Sequence, residues 1–376
     1  MRENKTTQAR RNGRRILTTT AVAAVLGLAV SACGAANESD DTAAKAGAKT
    51  DALTGTINGA GSSAQQAAQD AWRAAFQQAN PGVTVNYDPA GSGAGREKFI
   101  AGGSDFAGSD SALSADEGEI AGAKKRCGAD AVEVPDYVSP IAVVYNVPGI
   151  KDLKLDAKTM AGIFAGKITT WDDPAIAALN KGSLPSTRIT PVHRSDSSGT
   201  TDNFTDYLHA AGQGVWTADH SSDWPIKSGE GANQTSGMVA AIKAGEGTIA
   251  YVDNSQAGDL QIASVKVGND FVKPSAEGAA KALSVSPLEK GRPASDMAVA
   301  VDRTTTESGA YPLMLTSYLI ACPTYPADRV DLVKGYLASI VSTEGQQAAA
   351  QAAGSAPLPE NLQQKAAVLI DAIKAS

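Results

Sequence analysis

A permanent cation, a carboxylate, four hydroxyls and a glycine make up seven consecutive residues, the run Arg194-Ser195-Asp196-Ser197-Ser198-Gly199-Thr200. These types suit an oxyanion. Arg194 offers a planar fork that can meet two oxygens at once, and Asp196 is placed to orient it. Arg188 to Val192 reads as a short strand, and Thr201 to Leu208 as a helix with Phe204, Tyr207 and Leu208 on one face. The loop therefore ends where a helix begins, and the unpaired N–H groups of Ser198, Gly199 and Thr200, with the positive end of the helix dipole, would receive an anion. A plainer reading makes Ser198 an ordinary N-cap and Arg194–Asp196 a solvated ion pair. This stretch alone leaves both open.

Two further loops of small residues, Gly61-Ser62-Ser63 and Gly91-Ser92-Gly93, also stand at the start of helical patterns. The recurrence favours the anion reading, although glycine and serine are common in any turn. Neither loop matches a dinucleotide fingerprint or a Walker A sequence. Strand patterns alternate with helical ones, as in an α/β fold. Thr56 to Asn58 and Val83 to Tyr87 read as strands, and Ala68, Trp72, Ala75 and Phe76 as one helix face. Asp105 to Asp110 reads as a strand ending in a carboxylate, which could equally cap a helix or lie in solvent. Thr235 to Ala244 is a helical stretch, with Gly229 to Asn233 expected near the rim of a cleft. Leu313 to Ile320 is a strand, and Val333, Leu337, Ile340 and Val341 mark a late helix.

Arg10, Arg11, Arg14 and Arg15 precede an apolar run from Ile16 to Val30, which closes on Val30-Ser31-Ala32-Cys33. This is the pattern of a lipoprotein signal peptide over residues 1–32, with Cys33 as the lipidated residue. Residues 33–54 are small and polar and read as a flexible linker. The 376 residues carry a formal charge of −7, and residues 1–32 hold six cationic side chains against one anionic, so the remainder is more acidic still. That argues against nucleic acid and makes any anion site a local feature. The length beyond the leader suits two domains of roughly 150 residues. With Cys33 assigned to lipid, Cys127 and Cys322 remain and can pair in an exported protein.

The ordered motifs resemble the PstS family of phosphate-binding proteins that serve ABC transporters. The resemblance runs from about Gly55 to Leu362. It rests on Arg194-x-Asp196-x-Ser198-Gly199-Thr200, supported by Gly59 to Ser63, Gly91-Ser92, Asp105 to Asp110, Trp171-Asp172-Asp173 and Gly247 to Val252. It implies an α/β, two-lobed type II periplasmic-binding-protein fold with a hinge and an interlobe cleft. Residues 55–136 and 309–376 would form one lobe and 137–308 the other, with crossings near Pro135 to Ser139 and Glu307 to Tyr311. It implies phosphate contacts from Ser63, Ala64, Ser92, Asp110, Arg194, Ser198, Gly199 and Thr200, with Asp196 behind Arg194. The partners implied are inorganic phosphate and the permease subunits of a phosphate ABC transporter, with the monomeric protein held outside the cytoplasm by lipid on Cys33. The chain departs from many relatives at Ser63-Ala64, where they carry Thr-Phe, and at Gly93, where they carry a second serine.

Phosphate near neutral pH keeps a proton that Asp110 can accept, whereas sulfate has none. A buried acceptor left unmatched discriminates by roughly 10⁴–10⁵. Other oxyanions such as sulfate or molybdate are the nearest alternative. A secreted phosphatase or serine hydrolase is a more distant one. Only His193, His209 and His220 are present, no H-E-x-x-H or G-x-S-x-G occurs, and no cofactor, metal or catalytic set is expected. His193 and the tryptophans Trp171, Trp216 and Trp224 read as structural.

Overall fold

The computed structural model describes residues 52–376, so the expected leader, Cys33 and nearly all of the linker lie outside the described residues. Strand β1 (Thr54–Gly61) leads into helix α1 (Gln66–Ala79), then β2 (Gly82–Asp88), α2 (Ser92–Ile100) and β3 (Phe106–Ser109). β1 pairs in parallel with both β2 and β3, and the register sets apolar Ile57 opposite Val85. Helix α1 buries Ala68, Trp72 and Phe76, one residue per turn. Ala75, expected on that face, is exposed, and Gln69 lies inward instead. The reason is a polar chain: Gln69 donates to Gln65 Oε1 (2.9 Å) and accepts from the Tyr336 hydroxyl (3.1 Å).

The long strand β4 (Val132–Asn146) organises the whole sheet. Its first part, Val132 to Pro140, runs antiparallel to Met314–Ala321, which in turn pairs with β3. From Ile141 onward the same strand pairs with Thr248–Asp253. That partner is joined in parallel to Thr190–Arg194, and the latter to Glu230–Ala232. One strand thus serves two sets of neighbours, with the change at Pro140–Ile141. The expected strands and helices at 188–192, 201–208, 313–320 and 333–341 are found at Thr190–Arg194, Gly199–Ala211, Met314–Ala321 and Val330–Val341. The loop expected at 229–233 holds the short strand Glu230–Ala232.

Residues past the second half reach back to the first. Glu133 N–H donates to Ser295 O (2.9 Å), Met297 N–H donates to Glu133 O (2.8 Å), and Arg292 binds the Glu133 carboxylate (3.0 Å) and Leu113 O (2.7 Å). A small apolar cluster of Val138, Ala279, Leu283, Val299 and Met314 fills the space beside this strap. Cys127, at the end of helix Glu119–Cys127, is disulfide-bonded to Cys322, just past the strand Met314–Ala321, with Cα atoms 5.2 Å apart. Among the described residues no helix is long and apolar enough to cross a membrane.

Candidate functional site

Strand β3 is buried along its whole length and delivers Asp110 to the end of the sheet. The side chain is 3% exposed. Its carboxylate accepts the hydroxyls of Ser62 (2.7 Å), Thr200 (3.1 Å) and Ser317, while its own N–H donates to Ser92 Oγ (3.1 Å). Burial raises the carboxyl pKa; the Ser317, Ser62 and Thr200 hydroxyls and the charge of Arg194 pull the other way. Three donated hydroxyls define Asp110 as an acceptor. Neither the helix-cap reading nor the solvated reading describes it.

Arg194 ends the strand Thr190–Arg194 and is likewise 3% exposed. Its Nε donates to Asp196 Oδ1 (2.7 Å), and its Nη2 pairs with the other oxygen in a two-point contact. Asp196 also accepts from Gln234 N–H (2.9 Å). Burial presses its pKa up, but the Arg194 hydrogen bond and charge, with the Gln234 N–H, hold the carboxyl below its usual range. The pair is therefore an ionised, partly buried clamp, not a solvated surface bridge. Two bonds to Asp196 leave further guanidinium protons for a ligand.

Ser198 is the N-cap of helix Gly199–Ala211, with extended backbone and Oγ accepting Thr201 N–H (3.3 Å). Its own N–H, expected to serve an anion, donates to Ser222 O (2.8 Å). Gly199 and Thr200 hold the first two helical positions, whose N–H groups have no acceptor inside the helix. Gly199 sits against Asp110 so closely that a Cβ there would lie 2.7 Å from the Asp110 Cβ. A Cβ at Gly93 would lie 2.5 Å from the Cβ of Ser197 and nearer still to its hydroxyl. Ser197 thus fills the space that a serine at 93 would need.

Ser63 is also brought here. Its Oγ lies 3.0 Å from Thr235 Oγ1 and accepts Thr235 N–H (3.2 Å) at the start of helix Gln234–Ala244. Ala64 N–H, expected to face a ligand, donates to Ser62 Oγ (3.0 Å). Ser62, Thr235, Ser317 and Tyr251 belong to the site and escaped the sequence reading. Tyr251 accepts Arg194 N–H (3.3 Å) and its hydroxyl meets Thr201 Oγ1 (2.8 Å). Ser62 shares a loop with Ser63 and could have been found; Ser317 lies in an apolar strand with no local signal. His193 stacks on Trp224 (4.8 Å, 5° between planes), with Nδ1 beside Arg194 O (2.8 Å), so it orders the strand end. Among the described residues no group of three or more side chains is arranged to hold a metal.

The profile of the PBP superfamily domain matches residues 44–344. Phosphate-binding protein PstS 3 of Mycobacterium tuberculosis is 38% identical over 306 residues, covering 79% of this chain and 81% of the relative. Phosphate-binding protein PstS of Methanocaldococcus jannaschii is 31% identical over 77% of this chain and 79% of the relative. Among solved structures, a high-affinity periplasmic phosphate-binding protein bound with phosphate matches 82% of this chain and 92% of its own, with TM-score 0.70 and 24% identity. The phosphate-binding protein from Stenotrophomonas maltophilia matches with TM-score 0.67 and 20% identity over 84% and 94% of the two chains. Those likenesses establish the α/β periplasmic-binding fold, and the identities with the curated relatives go further: the chain belongs to the PstS family of phosphate-binding proteins, within the PBP superfamily.

Proposed function

We propose that this chain binds inorganic phosphate outside the cytoplasm and delivers it to the permease of a phosphate ABC transporter, as a binding protein and not an enzyme. The observation that carries the reading is Asp110. A buried carboxylate that accepts hydroxyls from Ser62, Thr200 and Ser317 is an acceptor beside a cationic loop. Phosphate brings a proton to such a group; sulfate brings only lone pairs. Arg194 balances the ligand's charge, Gly199 and Thr200 supply backbone donors at the helix start, and Ser63, Ser92 and Ser198 supply hydroxyls. Ala64 supports the loop through Ser62.

The two parts of the chain on either side of Pro140–Ile141, roughly residues 55–136 with 309–376 and residues 137–308, act as lobes that close over the anion. The change of partners along β4 supports that division. Thr200–Asp110 and Ser63–Thr235 are contacts of the closed form, because each joins one lobe to the other. The leader pattern before Cys33 supports export and lipid anchoring of a monomer. Calorimetric titration of the purified chain with phosphate and then sulfate tests the reading. Tight phosphate binding without sulfate heat supports it, and equal binding of both rejects it.

A further inference from the structure

Beside Asp110 lies a polar cavity of about 280 Å³ whose lining also includes Asn203, Asp206, Arg303 and Thr316 but not Arg194. Arg303 is its one buried cation, 6% exposed. The proposed phosphate contacts do not include it. Its guanidinium donates in four directions: Nε to Asp206 Oδ2 (2.7 Å), Nη1 to Pro312 O (3.0 Å) and Met314 O (2.6 Å), and Nη2 to Asn203 Oδ1. Asn203 then spends its own amide donor on two carbonyls, Asp110 O (2.7 Å) and Gly199 O (2.9 Å).

The chemistry admits one orientation. A guanidinium has only donors, so it fixes the Asn203 oxygen toward itself and turns the NH₂ toward the two carbonyls. Pro312 and Met314 lie where the chain enters the strand Met314–Ala321, and Ile141 N–H donates to Leu313 O (2.9 Å) where β4 changes partners. Asp110 and Gly199 carry the two faces of the anion site. A single connected set of hydrogen bonds therefore joins the crossing between the lobes to both faces. The Asn203–Asp110 bond links helix Gly199–Ala211 to the end of β3, so it exists only when these two elements are together.

We infer that Arg303, acting through Asn203, is a positioning residue that ties lobe closure to the geometry of the anion site, so that it sets how long the anion is retained. The inference rests on the phosphate reading. Removing the guanidinium leaves Asn203 free to turn and two backbone carbonyls at the crossing without their donor. The closed form is then less favoured, and ligand leaves through the open form more often. The side chain of Asp110 is untouched, so the preference for phosphate over sulfate stays as it was.

The test is stopped-flow dissociation of phosphate from full-length wild type, Arg303→Met, Arg303→Lys and Asn203→Asp, with melting temperatures taken with and without saturating phosphate. Arg303→Met is expected to speed dissociation roughly 10- to 100-fold with little change in association, as for loss of one partner from a buried charged hydrogen bond. Arg303→Lys should not restore it, because an ammonium cannot span four acceptors in a plane. Asn203→Asp keeps the size but presents oxygen to Asp110 O and Gly199 O. It should match Arg303→Met, and the double variant should be no worse than either single one. The rise in melting temperature on adding phosphate should shrink in each variant. If Arg303→Met does not fold, Asn203→Asp with the same readouts decides. Lower melting temperature with wild-type dissociation would make the pair merely structural and overturn the inference alone. Failure of the wild type to bind phosphate would overturn the functional reading and the inference with it.

Discussion

On the Asp110 side of the site, a buried carboxylate is held by hydroxyls 48, 90 and 207 residues away along the chain. On the Arg194 side, a buried cation is held by a carboxylate two residues further along the same loop. The cation is thus held by a partner from its own loop, whereas the hydroxyls around the buried carboxylate come from three distant pieces of chain. The Thr200 hydroxyl is the one donor to Asp110 that comes from the start of helix Gly199–Ala211. On the function proposed above, attraction to anions in general belongs to the Arg194 loop, and discrimination among them to the carboxylate of Asp110.

The heaviest way to break this division is Arg194→Met. It leaves the partly buried Asp196 beside the site without its cation, and breaking a buried pair costs up to about 3–5 kcal/mol. Phosphate affinity should fall roughly 10²–10³-fold by calorimetry; retention within threefold would show that the charge is supplied elsewhere. Next comes the scaffold of the Asp110 side. The strand that carries Ser317 ends at the Cys127–Cys322 bond, which closes a loop of 195 residues. Replacing both cysteines by serine should lower unfolding free energy by about 2–5 kcal/mol in denaturant titrations. Unchanged stability would mean that packing alone fixes this strand.

A smaller effect sharpens the contact between the two sides. Gly93→Ser places new atoms where Ser197 already stands, and overpacking of this kind costs typically about 1–3 kcal/mol. Phosphate affinity should drop by about tenfold, and Ser197→Gly in the same chain should restore it. Failure of that rescue would separate the two positions.

The smallest effect concerns His220, whose hydrogen bond to Asp202 Oδ1 (2.6 Å) raises its pKa to about 9, while the Ser111 hydroxyl donates to the other oxygen (2.7 Å). A raised histidine pKa stabilises the folded form fully below the unfolded value near 6.5. That contribution is lost as pH rises through about 9. The imidazole is 61% exposed, so solvent screening keeps the contribution small. Melting temperature should decline slightly between pH 6.5 and 9 in the wild type and less in His220→Gln. Parallel profiles would show that the His220–Asp202 bond adds nothing to folded stability.

The local side of the comparison was also the legible one. Arg194, Asp196 and the Ser198 N-cap are neighbours in sequence, so residue type and spacing placed them together at a helix start, although that stretch alone left the burial of the ion pair open. Gln69 could not be read from apolar periodicity, because its inward position is set by Gln65 and by Tyr336 from a helix more than 250 residues on. Ser317 was hidden for the same reason: Leu313 to Ile320 reads as a strand, but nothing local says that the Ser317 hydroxyl meets Asp110. The doubling of β4 between two sets of partners is likewise a property of pairing, which no local pattern along the strand states. The engaged N–H groups of Ser198 and Ala64 depend on Ser222 O and on the rotamer of Ser62, neither of which a motif encodes.

The division of labour between the two sides is tested most directly by the ratio of sulfate to phosphate dissociation constants in the wild type and in Asp110→Asn, measured at neutral pH in one calorimetric series. Asn keeps the shape of Asp110 but can turn an N–H toward the ligand. A wild-type ratio on the order of 10⁴ that falls to within about tenfold of unity in the variant is the predicted result. An unchanged ratio, with both affinities reduced alike, would contradict it and return selectivity to the Arg194 loop.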